Sequence, residues 1–268
     1  HRATGATRPQ TNGADRVGAT VYFVSDTHFT YHSDAGDERE KRAAFLDFLE
    51  GVRGADRLYL AGDIFDFWFE YRHVVPAHYT DILGGLARLR ESGTRIMVME
   101  GNHDGWFGPY LSDAYGFEIL PAVVELELQG RRIVLTHGDT VLPGDIGYKI
   151  LRAVIRSRPA VSIARLLHPD LLFWLAGRFS RASKNFTHAK TERHARRVRG
   201  IAPARFFDRG NDVFVMGHVH LPCMDIHEEG LFVMLGDWET HRSWLRLEDE
   251  RFSLHFYGRP GKMLRENR

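Results

Sequence analysis

Short apolar runs alternate along the chain with longer stretches whose apolar residues recur at helical spacing. Thr20–Ser25, Arg57–Ala61 and Arg95–Glu100 are rich in β-branched or aromatic residues and end abruptly on polar ones, the pattern of buried strands. Between them, Glu38–Val52 and Ala77–Ser92 repeat their apolar residues with helical period, and Gly93 supplies a stop for the second. The N-terminal third therefore reads β-α-β-α-β. Val123–Leu128 and Arg132–Thr136 flank Gln129-Gly130, which predicts a hairpin. Asp212–Met216, Leu231–Leu235, Ser243–Leu247 and Phe252–Phe256 add four strands. Strands in both halves with helices around them predict an α/β fold of two packed sheets, helices outside.

The stretch from Asp145 to Gly200 breaks this rhythm. It has no strand pattern and predicts three helices, about Gly144–Arg156, Val161–Phe179 and Ser183–Arg199. Its charge is lopsided: thirteen Lys and Arg against three acids give +10, in a chain whose total is only +1, so the remainder carries −9. A near-neutral total thus conceals a basic helical insert on an acidic body. The total argues against wrapping of nucleic acid by the whole chain, and the insert lacks the interleaved aromatics of a single-strand binder, so no nucleic-acid partner is expected. Val161–Phe179 is apolar nearly all round in its second half. Two readings stay open for the insert: a helical subdomain packing its own apolar face, or a lid over an apolar ligand whose arginines meet an anionic membrane surface.

Length and composition change this picture little. The 268 residues, 43% hydrophobic and 26% charged, suit a globular enzyme. No run of apolar residues is long enough for a transmembrane helix. His1–Ala19 is rich in Thr, Ala, Gly and Arg, lacks the apolar centre of a signal peptide and reads as a disordered leader ahead of one domain, 20–268. Cys223 stands alone, which excludes an internal disulfide and suits a reducing, cytoplasmic compartment.

Fifteen histidines are many for this length, and five of them fall in short segments that each follow an apolar run. The segments are Asp26-Thr27-His28, Gly62-Asp63, Gly101-Asn102-His103-Asp104, Thr136-His137-Gly138-Asp139 and Gly217-His218-Val219-His220. Carboxylate, imidazole and amide oxygen together suit a divalent ion such as Mn, Fe, Zn or Co. Singly, each segment is an ordinary loop; all five at strand ends form a constellation.

In this order the segments resemble the signature of the calcineurin-like metallophosphoesterases, D-x-H, G-D, G-N-H-D, H-G, G-H-x-H, complete from Asp26 to His220. The resemblance implies a four-layer α/β/β/α sandwich with a helical lid insertion at about 144–200 and a di-metal centre at the strand ends. It makes Asp26, His28 and His220 ligands of one ion and Asn102, His137 and His218 ligands of the other, with Asp63 bridging both. Two divalent ions, Mn2+ foremost, are the implied cofactors. His103, backed by Asp104, would help the leaving group depart or only orient a phosphate, and both roles stay open.

The insert narrows the resemblance. His137-Gly138-Asp139-Thr140 followed by Asp145, Gly147-Tyr148, Arg152, Ser183-Lys184, Thr187 and Lys190 is similar to the UDP-2,3-diacylglucosamine diphosphatases of lipid A biosynthesis. So are Gly62–Phe65 with Trp68, and Leu235-Gly236 with Trp238. The substrate contacts this implies fall on Asn102, His103, Asp145, Ser183, Thr187, Lys190 and His218. Thr187 stands where that family usually has asparagine and His103 where it usually has arginine, so the departure touches substrate identity. The implied activity is hydrolysis of the diphosphate to UMP and 2,3-diacylglucosamine 1-phosphate by a cytoplasmic enzyme held peripherally at the inner membrane. Another calcineurin-like phosphoesterase with a different lipid-linked or nucleotide substrate, or a metal-binding interaction module without catalysis, are the alternatives.

Overall fold

In the computed structural model, which describes residues 18–31, 36–139, 146–187, 191–207, 210–259 and 262–265, the apolar runs become strands of two sheets. The strands are β1 (Thr20–Val24), β2 (Arg57–Ala61), β3 (Arg95–Met99), β4 (Glu118–Leu120), β5 (Val123–Leu128), β6 (Arg131–Thr136), β7 (Val213–Met216), β8 (Cys223–Ile226), β9 (Leu231–Met234), β10 (Ser243–Glu248), β11 (Arg251–Phe256) and β12 (Met263–Arg265). One sheet has the order β12-β11-β10-β1-β2-β3-β4, with β1 to β4 parallel; the other is β5-β6-β7-β9-β8, with β6, β7 and β9 parallel. Gln129 and Gly130 both take positive φ, 51° and 74°, which closes the expected β5–β6 hairpin.

Strand alternation sorts each side chain into one of three apolar layers. Val21, Phe23, Tyr59, Ala61, Met97 and Met99 of the first sheet meet Leu126, Leu135, Val213, Val215 and Val233 of the second. The opposite face of the first sheet packs under helices α1 (Gly36–Gly51) and α2 (Thr80–Glu91), where Phe45, Phe48, Ile82 and Leu86 cover Val24, Leu58, Leu60 and Val98. Gly93, at φ 106°, follows α2 as the sequence predicts. The outer face of the second sheet, Val134, Phe214 and Phe232, meets Ala195 and Val198 of a later helix. Helix, sheet, sheet, helix is the four-layer order implied above.

Three details differ from expectation. A short helix, α3 (Tyr110–Tyr115), and the strands β4, β8 and β12 have no counterpart in the pattern reading, being too short to show a period. Among the described residues the insert forms four helices, where three were expected: α4 (Ile146–Ile155), α5 (Arg158–Ala164), α6 (Pro169–Thr187) and α7 (Thr191–Phe206). Proline explains the extra boundary, since Pro169 lacks an N–H and starts α6 instead of lying inside a helix from Val161 to Phe179. No boundary falls at Ser183, which continues α6. The leader expected over 1–19 lies outside the described residues except Gly18 and Ala19; Ala19 is buried, and its carbonyl accepts from Gln129 Nε2 at 2.6 Å.

Candidate metal centre

Five loops converge where the parallel strands of both sheets end. Asp26 and His28 follow β1, Asp63 follows β2, Asn102 and His103 follow β3, His137 follows β6, and His218 and His220 follow β7. Asp26, His28, Asp63, His218 and His220 all have φ between 44° and 67°. Non-glycine residues there cost of order 1–3 kcal/mol each and persist only where surroundings over-determine them. Backbone bonds do so: Asp26 N donates to Gly62 O at 3.1 Å, His28 N to Asp63 O at 3.0 Å and Trp238 N to Asp26 O at 3.0 Å. Glycine is required beside the cluster because ligands press on it. A Cβ on Gly101 would lie 2.1 Å from Asp63 Oδ1, and one on Gly217 would lie 2.5 Å from Asp26 Oδ2.

The side chains meet in overlapping groups. Asp26, His28 and His220 converge on one side and Asp63, His137 and His218 on the other. His220 Nε2 is 3.1 Å and His28 Nε2 3.8 Å from Asp26 Oδ1, while the two Nε2 atoms lie 3.2 Å apart. Asp63 Oδ1 accepts the His103 N–H at 2.7 Å, which turns Oδ2 into the cluster. There Oδ2 lies between His28 Nε2 at 3.7 Å and His137 Nε2 at 3.4 Å. Asn102 Oδ1 is 3.0 Å from His137 Nε2. His137 Nδ1 pairs with Ala61 O at 3.0 Å and His28 Nδ1 lies 3.3 Å from Asp66 Oδ1, while the Nε2 atom of each ring is the one that faces Asp63 Oδ2 in the cluster.

Charge in this buried cluster is set by the same proximity. Burial opposes ionisation of Asp26 and Asp63, yet the surrounding imidazoles hold both below the usual carboxylate range. Burial likewise opposes protonation of His28 and His137, but the neighbouring carboxylates overcome it and raise each to about 10. His218 falls to about 4 through burial and repulsion by His137. Buried Asp26 Oδ1 accepts no hydrogen bond and faces two imidazole nitrogens. Converging lone pairs that otherwise need protons between them fit cations, and the mixed nitrogen and oxygen donors fit divalent ones of the transition series.

The sequence profile of the family described as calcineurin-like phosphoesterase matches residues 19–222. The chain belongs to that family. Among curated relatives, the UDP-2,3-diacylglucosamine hydrolase of Xanthomonas oryzae is 31% identical over 250 residues, 88% of this chain and 98% of its own. That of Pseudomonas putida is 30% identical over 243 residues, covering 87% and 97%. That of Porphyromonas gingivalis is 29% identical over 249 residues, covering 84% and 92%.

Within this phosphoesterase the ligand set expected from sequence is thus brought together. His103 lies beside it, its ring centroid 4.8 Å from that of His28 and its Nδ1 3.3 Å from Asp66 O. The same geometry also groups His103 with His28 and Asp63. Asp104, expected to back His103, is fully buried and presents its carboxylate to four backbone N–H groups. Oδ1 accepts from Gly101 at 2.8 Å and Asp63 at 3.2 Å, Oδ2 from Ile64 at 2.7 Å and Phe65 at 3.2 Å. It ties the Asp63 loop to the Asn102 loop; burial and the Asp63 charge push it up to about 7. Of the expected substrate contacts, Asp145 and Lys190 lie outside the described residues. Ser183 and Thr187 both belong to α6.

Sequence reading missed Asp66, whose signal is a lone acid in the aromatic run Ile64–Phe69. It also missed Arg156, one residue past α4, which donates to Gly101 O at 2.5 Å and Glu100 Oε2 at 3.1 Å; Arg152, named in the resemblance without a role, has its Nε 2.9 Å from Asp139 Oδ2. Farther out, a groove of about 480 Å3 runs between α6 and the loop after β2, walled by Tyr31, Phe69, Tyr71, Val75, Phe173 and Trp174. Tyr31 is on the segment that follows β1, three residues past His28 in the chain.

Proposed function

We propose that the protein hydrolyses the diphosphate of UDP-2,3-diacylglucosamine to UMP and 2,3-diacylglucosamine 1-phosphate, with 20–268 as one phosphoesterase domain and the helical segment as its lid. The observation that carries this reading is the alignment of the chain, over nearly its whole length, with hydrolases of that name; the converging His and Asp groups and an apolar groove walled in part by Tyr31, on the segment that carries His28, support it. Asp26, His28 and His220 hold one ion, Asn102, His137 and His218 the other, and Asp63 bridges them; Mn2+ is the ion proposed. When bound, two such ions supply Lewis acidity toward phosphoryl oxygens and acidify water for attack on phosphorus. The chain's own groups do the rest. His103 holds a phosphate oxygen; Asp104 positions the two loops that carry Asp63 and Asn102; Asp145, Ser183, Thr187 and Lys190 hold the nucleotide sugar; the groove receives an acyl chain and excludes water from it.

The basic helical segment supports a peripheral site of action at the cytoplasmic face of the inner membrane. Among the described residues no helix is long and apolar enough to cross a membrane. Instead α4 to α6 expose Ile150, Leu151, Val154, Ile163, Leu166 and Trp174, with the Arg178 guanidinium 5.2 Å over the Trp174 ring. Apolar side chains among arginines match an anionic lipid surface. The test of the function is UMP release from the diacylated UDP-sugar against deacylated UDP-glucosamine, with Mn2+. Strong preference for the acylated substrate, abolished by Asp63→Ala, is the expected outcome; equal rates on both substrates refute the lipid assignment.

A further inference from the structure

Three charged side chains are buried along α1: Glu38, Lys41 and Arg42. Burying charge is costly, and apolar residues of similar volume are often as stable or more so, so their presence calls for a reason beyond stability. All three grip backbone of the loop that carries His28. Lys41 Nζ donates to His28 O at 2.7 Å and pairs with Glu38 Oε2 at 2.8 Å. Glu38 Oε1 accepts from Thr30 N at 3.0 Å and Arg42 Nε at 2.9 Å, and Arg42 Nη2 donates to Thr30 O at 2.5 Å. The network is anchored on its far side, where Arg42 Nη1 donates to His78 O at 2.9 Å and Asp81 Oδ1 at 2.7 Å.

We propose that Lys41 is a positioning residue for the ion site of Asp26, His28 and His220. His28 has φ 44°, a conformation that its side chain does not favour by itself. Lys41 fixes the carbonyl of that residue while Asp63 O fixes its N–H, so the turn that aims Nε2 at Asp26 and His220 is held from both ends. The neighbours of Lys41 lie on this side of the cluster: its ammonium is 5.5 Å from the Phe29 ring and 4.0 Å from Glu239, and its carbonyl accepts from Trp238 Nε1. The effect of removing it is therefore one-sided. The inference rests on the metal-centre reading above.

The test is calorimetric titration of the metal-free protein with Mn2+, which needs no turnover. Lys41→Met, which keeps the aliphatic stem, is expected to weaken by about 10–100-fold the binding step that His28→Ala abolishes, as loss of an outer-shell partner does. The other step stays unchanged, and Lys41→Arg restores most of the weakened one. Weakening of both steps together, or of neither, overturns the proposal. Should Lys41→Met, by taking the partner of Glu38 Oε2, fail to fold, the Glu38→Gln/Lys41→Met double variant removes both charges and is judged by the same two steps. His28→Ala separates the two failures: if it leaves both steps intact, the metal-centre reading itself falls, whereas if it removes one and Lys41→Met does not, only the positioning role falls.

Discussion

Alanine at position 101 is a small change with a large expected consequence. The added Cβ lies 2.1 Å from Asp63 Oδ1, 2.3 Å from Asp63 N and 2.7 Å from its Cγ. Ordinary contact begins near 3.4 Å, so one backbone must retreat by about 1 Å in a packed interior where overpacking costs typically 1–3 kcal/mol. Asp63 has little freedom to retreat. Its N–H is held by Asp104, its Oδ1 by the His103 N–H, and its Oδ2 lies between two imidazoles. Metal sites hold ligand distances to about 0.2 Å, so a shift of that size displaces the atom proposed to bridge the two ions. The expected result is loss of both Mn2+ binding steps by calorimetry and of metal-dependent phosphodiester hydrolysis, with a melting temperature a few degrees lower. Two glycines serve as controls because a Cβ meets nothing within 4 Å at either. Gly130→Ala carries only the cost of φ 74° in the hairpin, and Gly147→Ala, in α4, gains about 1 kcal/mol of helix propensity. Both retain metal binding. If Gly101→Ala binds two Mn2+ as tightly as the parent, the close approach of Gly101 to Asp63 is not what places the bridge.

Other expectations follow from the same geometry. His28 and His137 are raised to about 10 in the metal-free cluster, so at pH 7 each carries a proton that a metal must displace. Mn2+ binding should release protons, measurable as a buffer-dependent calorimetric heat, and should tighten as pH rises. Their folded pKa values exceed the unfolded one, so their contribution to metal-free stability is complete below about 6.5 and lost as pH rises through about 10. Melting temperatures of the metal-free protein should fall over that window while those of the loaded protein do not. His103→Ala should lower kcat by about 10²–10³, as loss of one group on a developing charge does, with both metal steps retained; a lost step instead makes His103 a ligand. Gly177→Ala puts a Cβ 1.7 Å from the Tyr31 hydroxyl, which should displace the groove wall and raise KM for the acylated substrate but not for a soluble diester. Burial pushes the Cys223 thiol up to about 12, so it should resist a thiol reagent at pH 8 until the protein is unfolded.

The sandwich and the cluster of converging His and Asp side chains were legible because each is local. A buried strand announces itself in five or six residues, and in this fold the residue that ends such a run stands where the sheets meet, so motif order along the chain maps onto position in the site. The failures were equally physical. The strands β4, β8 and β12, each three or four residues long, carry too little pattern to be seen, and Pro169 split a helix that apolar periodicity alone ran together. Sequence also leaves Asp104 ambiguous: adjacency to His103 suggests a partner in proton transfer, whereas the folded carboxylate faces four backbone N–H groups, one from its own loop and three from the loop after β2. Asp66 against His28, Lys41 against the His28 carbonyl and Arg156 against Gly101 O join residues 38, 13 and 55 positions apart. The chain alone determined which residues have ligand chemistry and where the strands that present them end. Tertiary structure decided which atom of each faces the others, because hydrogen bonds to the far side of a ring or carboxylate come from elements that only folding brings near.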